Sequence, residues 1–146
     1  MLMEVGALGQ IGVIACFGLS SLGAILAMVI NGPSVIGAWK KCYLQKKPAP
    51  FILVIFAGTC LSNPIYGFIT MNALADSVVL NNIQLFAMGI SSGLSIALSA
   101  FIQALCSAAA AEAYAETGQG FANFLMVIGI AETIALFSMV FTILFA

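Results

Sequence analysis

Glu132 is the residue of this sequence with the clearest capacity for chemistry, because it is a single acid within a long apolar stretch. No other charged residue occurs between positions 121 and 145. If that stretch crosses a membrane as a helix, the carboxyl group lies near the bilayer centre, where an ionised carboxylate is strongly destabilised. Ionisable groups at that depth usually mark an ion pathway. The alternative is a permanently protonated glutamic acid that only hydrogen-bonds to neighbouring helices.

Three more polar residues are predicted to lie at the depth of Glu132. Gln103 and Glu132 are equally far from the polar turn between them, and antiparallel helices bring such positions to one level. Ser62 and Asn63 lie about as far beyond an earlier turn. Each side chain alone could be a helix-to-helix hydrogen bond worth about 1 kcal/mol. Together they offer the hard oxygen donors that suit a small cation, so the set favours sodium, whereas a proton would need only the carboxylate.

Two neighbours of this layer could complete a site. Pro64 has no N–H, so in a helix the carbonyl of Cys60 loses its usual partner and becomes available to a cation. The alternative is a kink that only shapes the helix. Tyr66 could donate its hydroxyl to Glu132, or it could be a packing aromatic.

Composition places these residues in lipid. The chain has 146 residues, of which 63% are hydrophobic and 6% charged, and its mean hydropathy is +1.19. That leaves too few polar groups to cover a water-soluble surface. Breaks in apolarity predict an all-α membrane protein whose four helices are each long enough to cross a bilayer. The predicted helices cover residues 5–41, 51–75, 83–114 and 121–145, which form two tandem hairpins over 1–75 and 83–146.

The two hairpins look like a duplication. The Gly-Leu-Ser-Ser sequence at 18–21 recurs as Gly-Ile-Ser-Ser at 89–92, 71 residues later. Phe51 after the first turn matches Phe121 after the second, 70 residues later.

All four basic residues are lysines at positions 40–47, which excludes a nucleic-acid-binding surface and predicts a cytoplasmic first turn. Two helices later, the second turn is predicted on the same side.

Small residues recur at four-residue spacing in the predicted helices 1 and 3. They let helix backbones approach closely. One possibility is that they pack the helices within one chain. The other, which we favour, is that helices 1 and 3 of many chains line a ring around a narrow axis. The residues are Gly23, Ala27, Gly89, Gly93, Ala97, Ala100, Ala104 and Ala108.

These motifs resemble the ring-forming proteolipid, or K (c-type) subunit, of V-type and A-type rotary ATPases, particularly the sodium-transporting kind with a duplicated hairpin. The resemblance rests on Ala-Glu-Thr at 131–133, on Gln103, and on Tyr-Gly-Phe at 66–68. It implies a hydrogen bond from Tyr66 to Glu132. It also implies a cation site made by the Glu132 carboxylate, the Gln103 and Asn63 side chains, the Ser62 hydroxyl and the Thr59 backbone carbonyl. The missing N–H of Pro64 favours the backbone carbonyl of Cys60 as the ligand instead.

The resemblance implies a non-catalytic rotor subunit. Identical subunits would form a ring in membrane lipid, and each Glu132 would carry Na⁺, or alternatively H⁺, until an arginine of a stator membrane subunit displaces it. Central-stalk subunits would dock at the cytoplasmic turns, and rotation would be coupled to ATP hydrolysis or synthesis elsewhere. No cofactor is expected, and the location would be a prokaryotic inner membrane. The alternative function is a small four-helix secondary transporter of the drug/proton antiporter type.

Overall fold

Four long helices make up the chain. The computed structural model describes residues 6–146, and all regular structure within that range is helical. Every helix is long and apolar enough to cross a bilayer, so the prediction of an all-α membrane protein with four spans is confirmed. The predicted start of helix 1, near residue 5, lies outside the described residues. The four helices are α1 (Ala7–Leu44), α2 (Phe51–Asp76), α3 (Asn82–Thr117) and α4 (Phe121–Phe145).

The ends of α3 explain why this helix begins and stops where it does. Asn81 caps its start, because the Oδ1 atom accepts from the N–H groups of Ile83 and Gln84 at 3.1 and 2.9 Å. The Asn81 N–H in turn donates to Gln84 Oε1 at 2.9 Å, which completes a capping box. Gly118 ends the helix with a φ of +66°, a left-handed conformation that favours glycine.

Both hairpin turns lie at one end of the bundle. The Lys41 ammonium pairs with the Glu116 carboxylate, which joins the last turns of α1 and α3. At the opposite end, the N–H of Gly6 donates to Asn82 Oδ1 at 3.0 Å. The 38 residues of α1 extend about 57 Å, well beyond a hydrocarbon core of about 30 Å. This helix is therefore longer than one bilayer crossing requires.

The backbones of α1 and α3 approach each other closely through small residues. A Cβ atom on Gly89 would overlap the carbonyl group of Gly12, and one on Gly23 would overlap the backbone of Ala97. Ala27, Ala100 and Ala104 are fully buried nearby. The small-residue pattern is thus used for packing within the chain.

The second helix of each hairpin flanks this central pair. Phe56 of α2 is fully buried near the turns and packs against the rings of Tyr114, Phe121 and Phe124. Large apolar side chains along all four helices face outward. An outward apolar surface of this extent suits lipid or further protein and does not suit water.

Candidate functional site

The local geometry of α2 places the polar residues of the site. Its ordinary α-helix, Val54–Gly58, changes to a 3₁₀ turn at Thr59–Leu61 and resumes at Ser62–Asp76. Pro64 is therefore the third residue of a restarted helix, where a backbone N–H has no partner within the helix. The carbonyl of Cys60 accepts from Asn63 Nδ2 at 3.4 Å instead. The interruption brings Ser62 and Asn63 to the first turn of the new helix segment.

Glu132 is the twelfth of the 25 residues of α4, and its side chain is half-buried at the seam with α2. Its Oε1 atom accepts a hydrogen bond from Ser62 Oγ at 2.7 Å. The same atom accepts from Tyr66 Oη at 2.8 Å. One carboxyl group of the second hairpin is therefore held by two hydroxyl groups of the first.

The two carboxamides of the predicted layer face each other deeper in the bundle. Asn63 Nδ2 donates to Gln103 Oε1 at 2.6 Å, and both side chains are fully buried. Asn63 Oδ1 and Gln103 Nε2 have no hydrogen-bond partner among the described residues. Since Ser62 and Asn63 are adjacent, the pair made by Asn63 and Gln103 lies directly beside the Glu132 cluster.

Thr59 lies one turn nearer the hairpin turns. Its hydroxyl is 2.7 Å from that of Ser107 on α3 and donates to the carbonyl oxygen of Phe56 at 3.2 Å. The Thr59 side chain therefore ties the 3₁₀ turn to α3. A role for its backbone carbonyl, or for that of Cys60, in binding an ion remains a prediction.

Two residues near the site were missed by the sequence reasoning. Ser99 of α3 is fully buried, and its hydroxyl donates to the carbonyl of Ala131 at 2.7 Å, which holds α4 beside Glu132. The sequence could have indicated Ser99, because it lies four residues before Gln103 and so on the same face of the helix. Asn31 of α1 is the other, and its side chain contacts the backbone of α2.

Thr133, although next to Glu132 in the sequence, takes no part in the cluster. Its side chain is exposed and its hydroxyl donates to the carbonyl of Ile130 on its own helix.

The arrangement offers oxygen atoms and lacks the ligands of a transition-metal site. Within residues 6–146, no three His, Cys, Asp or Glu side chains are grouped as metal ligands. The oxygen atoms that could bind an ion are those of the Glu132 carboxylate, the Ser62 hydroxyl and the side-chain carbonyls of Asn63 and Gln103. Carboxylate, hydroxyl and amide oxygens suit a small hard cation, and the carboxylate alone suits a proton.

Comparison with protein families finds a similarity in the second hairpin. Residues 86–145 match the family model for the C subunit of ATP synthase. This range covers most of α3 and all of α4, and it includes both Gln103 and Glu132. Over these residues the chain is similar to a rotor-ring proteolipid, a kind of subunit that translocates ions without being an enzyme by itself. With four helices able to span a bilayer, the match supports a multi-pass integral membrane protein. No curated protein matches the chain.

Proposed function

We propose that this chain is a rotor-ring subunit of a V-type or A-type ATPase or ATP synthase, and that it carries Na⁺ across the membrane on Glu132. The main support is the double hydrogen bond from Ser62 and Tyr66 to Glu132 Oε1. A carboxyl group at mid-membrane, held by both hairpins, gives one site for each four-helix chain. The first hairpin has no acidic residue of its own at the corresponding depth.

The oxygen donors around Glu132 support sodium as the ion. Asn63 Oδ1 is a fully buried acceptor without a partner among the described residues. Gln103 Oε1 is close to it, because it accepts a hydrogen bond from Nδ2 of the same Asn63 side chain. Buried acceptors of this kind are normally satisfied by a donor or a cation. A proton on Glu132 would leave Asn63 Oδ1 unsatisfied, whereas a cation could be shared by the carboxylate and the amide oxygens.

In the proposed mechanism, neutralisation of Glu132 is the essential step. A bound cation cancels the charge of the carboxylate, so that this half-buried group can face lipid while the ring turns. An arginine of the stator membrane subunit then displaces the ion. Each elementary charge that crosses 100 mV corresponds to about 2.3 kcal/mol, so several ions per revolution can be exchanged against ATP chemistry elsewhere in the complex.

The charged end of the bundle is proposed to face the cytoplasm of a prokaryotic cell. Four lysines lie between positions 40 and 47, and basic residues beside a span favour the cytoplasmic side. Identical subunits would surround the ring axis, and central-stalk subunits would dock on both turns.

Carbodiimide labelling of the purified assembly tests this function. Carbodiimides react with protonated carboxyl groups in apolar surroundings, so we expect labelling at Glu132 that sodium prevents at neutral pH. Glu132→Gln should remove the labelling and serves as the control. Labelling that sodium does not slow would favour a proton site. No labelling of Glu132 under any condition would contradict the assignment of the ion-carrying group.

A further inference from the structure

Asn31 is a fully buried carboxamide on α1 that lies outside the proposed ion site. It is 72 residues before Gln103, whereas the two hairpins repeat with an offset of 71. The first helix of each hairpin therefore presents a carboxamide at nearly the same place. Gln103 contacts the Asn63 side chain of α2, and Asn31 contacts the backbone of α2.

The contacts of Asn31 fall where the geometry of α2 changes. Its Nδ2 atom donates to the carbonyl oxygens of Phe56 and Ala57 at 3.1 and 3.2 Å. These two carbonyls lie just before the 3₁₀ turn Thr59–Leu61, where the hydrogen-bond spacing changes from four residues to three. The side-chain amide thus supplies donors at the point where the regular helical pattern is broken.

The chemistry of these contacts requires a donor. Reversing the amide would place Asn31 Oδ1 against two carbonyl oxygens, so the orientation with Nδ2 toward them is the satisfied one. Oδ1 then has no partner among the described residues. A buried acceptor without a partner is unfavourable, and alanine at this position would avoid it. Local packing alone therefore does not explain why an asparagine occurs here.

The 3₁₀ turn controls the direction of the residues that follow it. Each 3₁₀ residue advances the chain by about 120° and each α-helical residue by about 100°, so three of them rotate the next segment by about 60°. The hydroxyl of Ser107 on α3 contacts that of Thr59 at the start of the turn, and Asn31 of α1 donates to the two carbonyls just before it. With this rotation, Ser62 is directed toward Glu132 and Asn63 toward Gln103.

We propose that Asn31 is a positioning residue, which holds the interruption of α2 and so directs Ser62 and Asn63 toward the ion site. This inference rests on the proposed function for its transport consequence. Its structural part, the dependence of the 3₁₀ turn on Asn31, is independent of which ion is carried.

The test compares Asn31→Ala with Ser34→Ala in the assembled protein. Ser34 is one turn further along α1, but its hydroxyl donates to the carbonyl of Ala108 on α3. The readout is the sodium concentration that halves carbodiimide labelling of Glu132. We expect an increase of about tenfold for Asn31→Ala and a change within about threefold for Ser34→Ala. A change within about threefold for Asn31→Ala would overturn the proposal.

A cryo-electron microscopy structure of the Asn31→Ala assembly gives a readout that does not depend on the ion. We expect α-helical spacing through 56–61 and loss of the bond from Ser62 to Glu132. An intact 3₁₀ turn with that bond preserved would overturn the proposal. If sodium does not protect the wild-type protein, the proposed ion is wrong and this structure alone decides the role of Asn31.

Asn31→Ser provides a second variant if Asn31→Ala does not assemble. A serine hydroxyl in a helix bonds to a carbonyl of its own preceding turn, so it is not expected to reach Phe56. The same shift in the sodium concentration is expected. A change within about threefold for Asn31→Ser would overturn the proposal.

Discussion

A carboxyl group at mid-membrane needs partners that lower the cost of burying it. Ser62 and Tyr66 both donate to the same oxygen of Glu132. Hydrogen bonds to a charged acceptor contribute roughly 1.5 to 3 kcal/mol each, so the two donors offset part of the desolvation cost of the carboxylate. They also hold the group in one orientation.

Ser62→Ala and Tyr66→Phe should therefore weaken ion binding. Each change removes one donor to Glu132, and we expect the sodium concentration that halves carbodiimide labelling to rise by about tenfold. Thr133→Ala is the matched control, because Thr133 is next to Glu132 but donates to the carbonyl of Ile130. A wild-type sodium dependence in both Ser62→Ala and Tyr66→Phe would show that these bonds do not shape the site.

The sequence was informative about which residues meet and less so about how they meet. Ser62, Gln103 and Glu132 could be placed at one depth because the turns fix the levels of antiparallel helices. The pattern predicted several oxygen atoms around one cation, whereas the structure shows Asn63 donating to Gln103. The rotation of an amide group depends on its surroundings in three dimensions, which spacing along the chain does not contain.

At the scale of the helix, the interruption of α2 was only partly predictable. The missing N–H of Pro64 predicted a Cys60 carbonyl left open to a cation, whereas in the structure this carbonyl accepts a hydrogen bond from Asn63 Nδ2. The 3₁₀ turn could not be predicted, because its contacts come from other helices: Ser107 of α3 contacts Thr59, and Asn31 of α1 donates to the carbonyls just before the turn. Such contacts depend on helix rotation, which an apolar sequence with little amphipathic pattern does not indicate.

The close approach of α1 and α3 leads to a stability prediction. A methyl group on Gly12 would overlap the backbone of Phe86, whereas one on Gly18 would meet nothing within 4 Å. Gly12→Ala should therefore lower the melting temperature of the purified protein, with a destabilisation of about 1 to 3 kcal/mol. Gly18→Ala, the control, should be neutral or stabilising, because alanine favours a helix by up to about 1 kcal/mol.

Thermal unfolding followed by circular dichroism in one detergent measures both glycine variants. Equal melting temperatures for Gly12→Ala and Gly18→Ala would contradict the close packing of α1 against α3. A selective loss for Gly12→Ala would support it.

For the whole molecule, the distribution of exposed residues bears on assembly. Apolar side chains cover the long faces of all four helices, and the ion pair between Lys41 and Glu116 lies at the end that carries the hairpin turns. A single four-helix unit of this kind can be surrounded by lipid, by copies of itself, or by both. The family match is to residues 86–145 of the second hairpin, so the role of the first hairpin in a ring is part of the proposal.

Native mass spectrometry of the detergent-solubilised assembly tests the ring. The chain has a mass of 15.1 kDa, and we expect a closed oligomer whose mass is a large whole-number multiple of that value. A dimer would favour a small secondary transporter over a rotor subunit.

The most direct test of the central claim is the number of sodium ions bound per chain. Equilibrium binding of radioactive sodium to the purified assembly should give about one ion for each four-helix chain, since one carboxylate is served by both hairpins. Glu132→Gln should abolish this binding while the assembly keeps its mass. Sodium binding that persists in Glu132→Gln, or none in the wild-type protein, would contradict the proposal that Glu132 carries the ion.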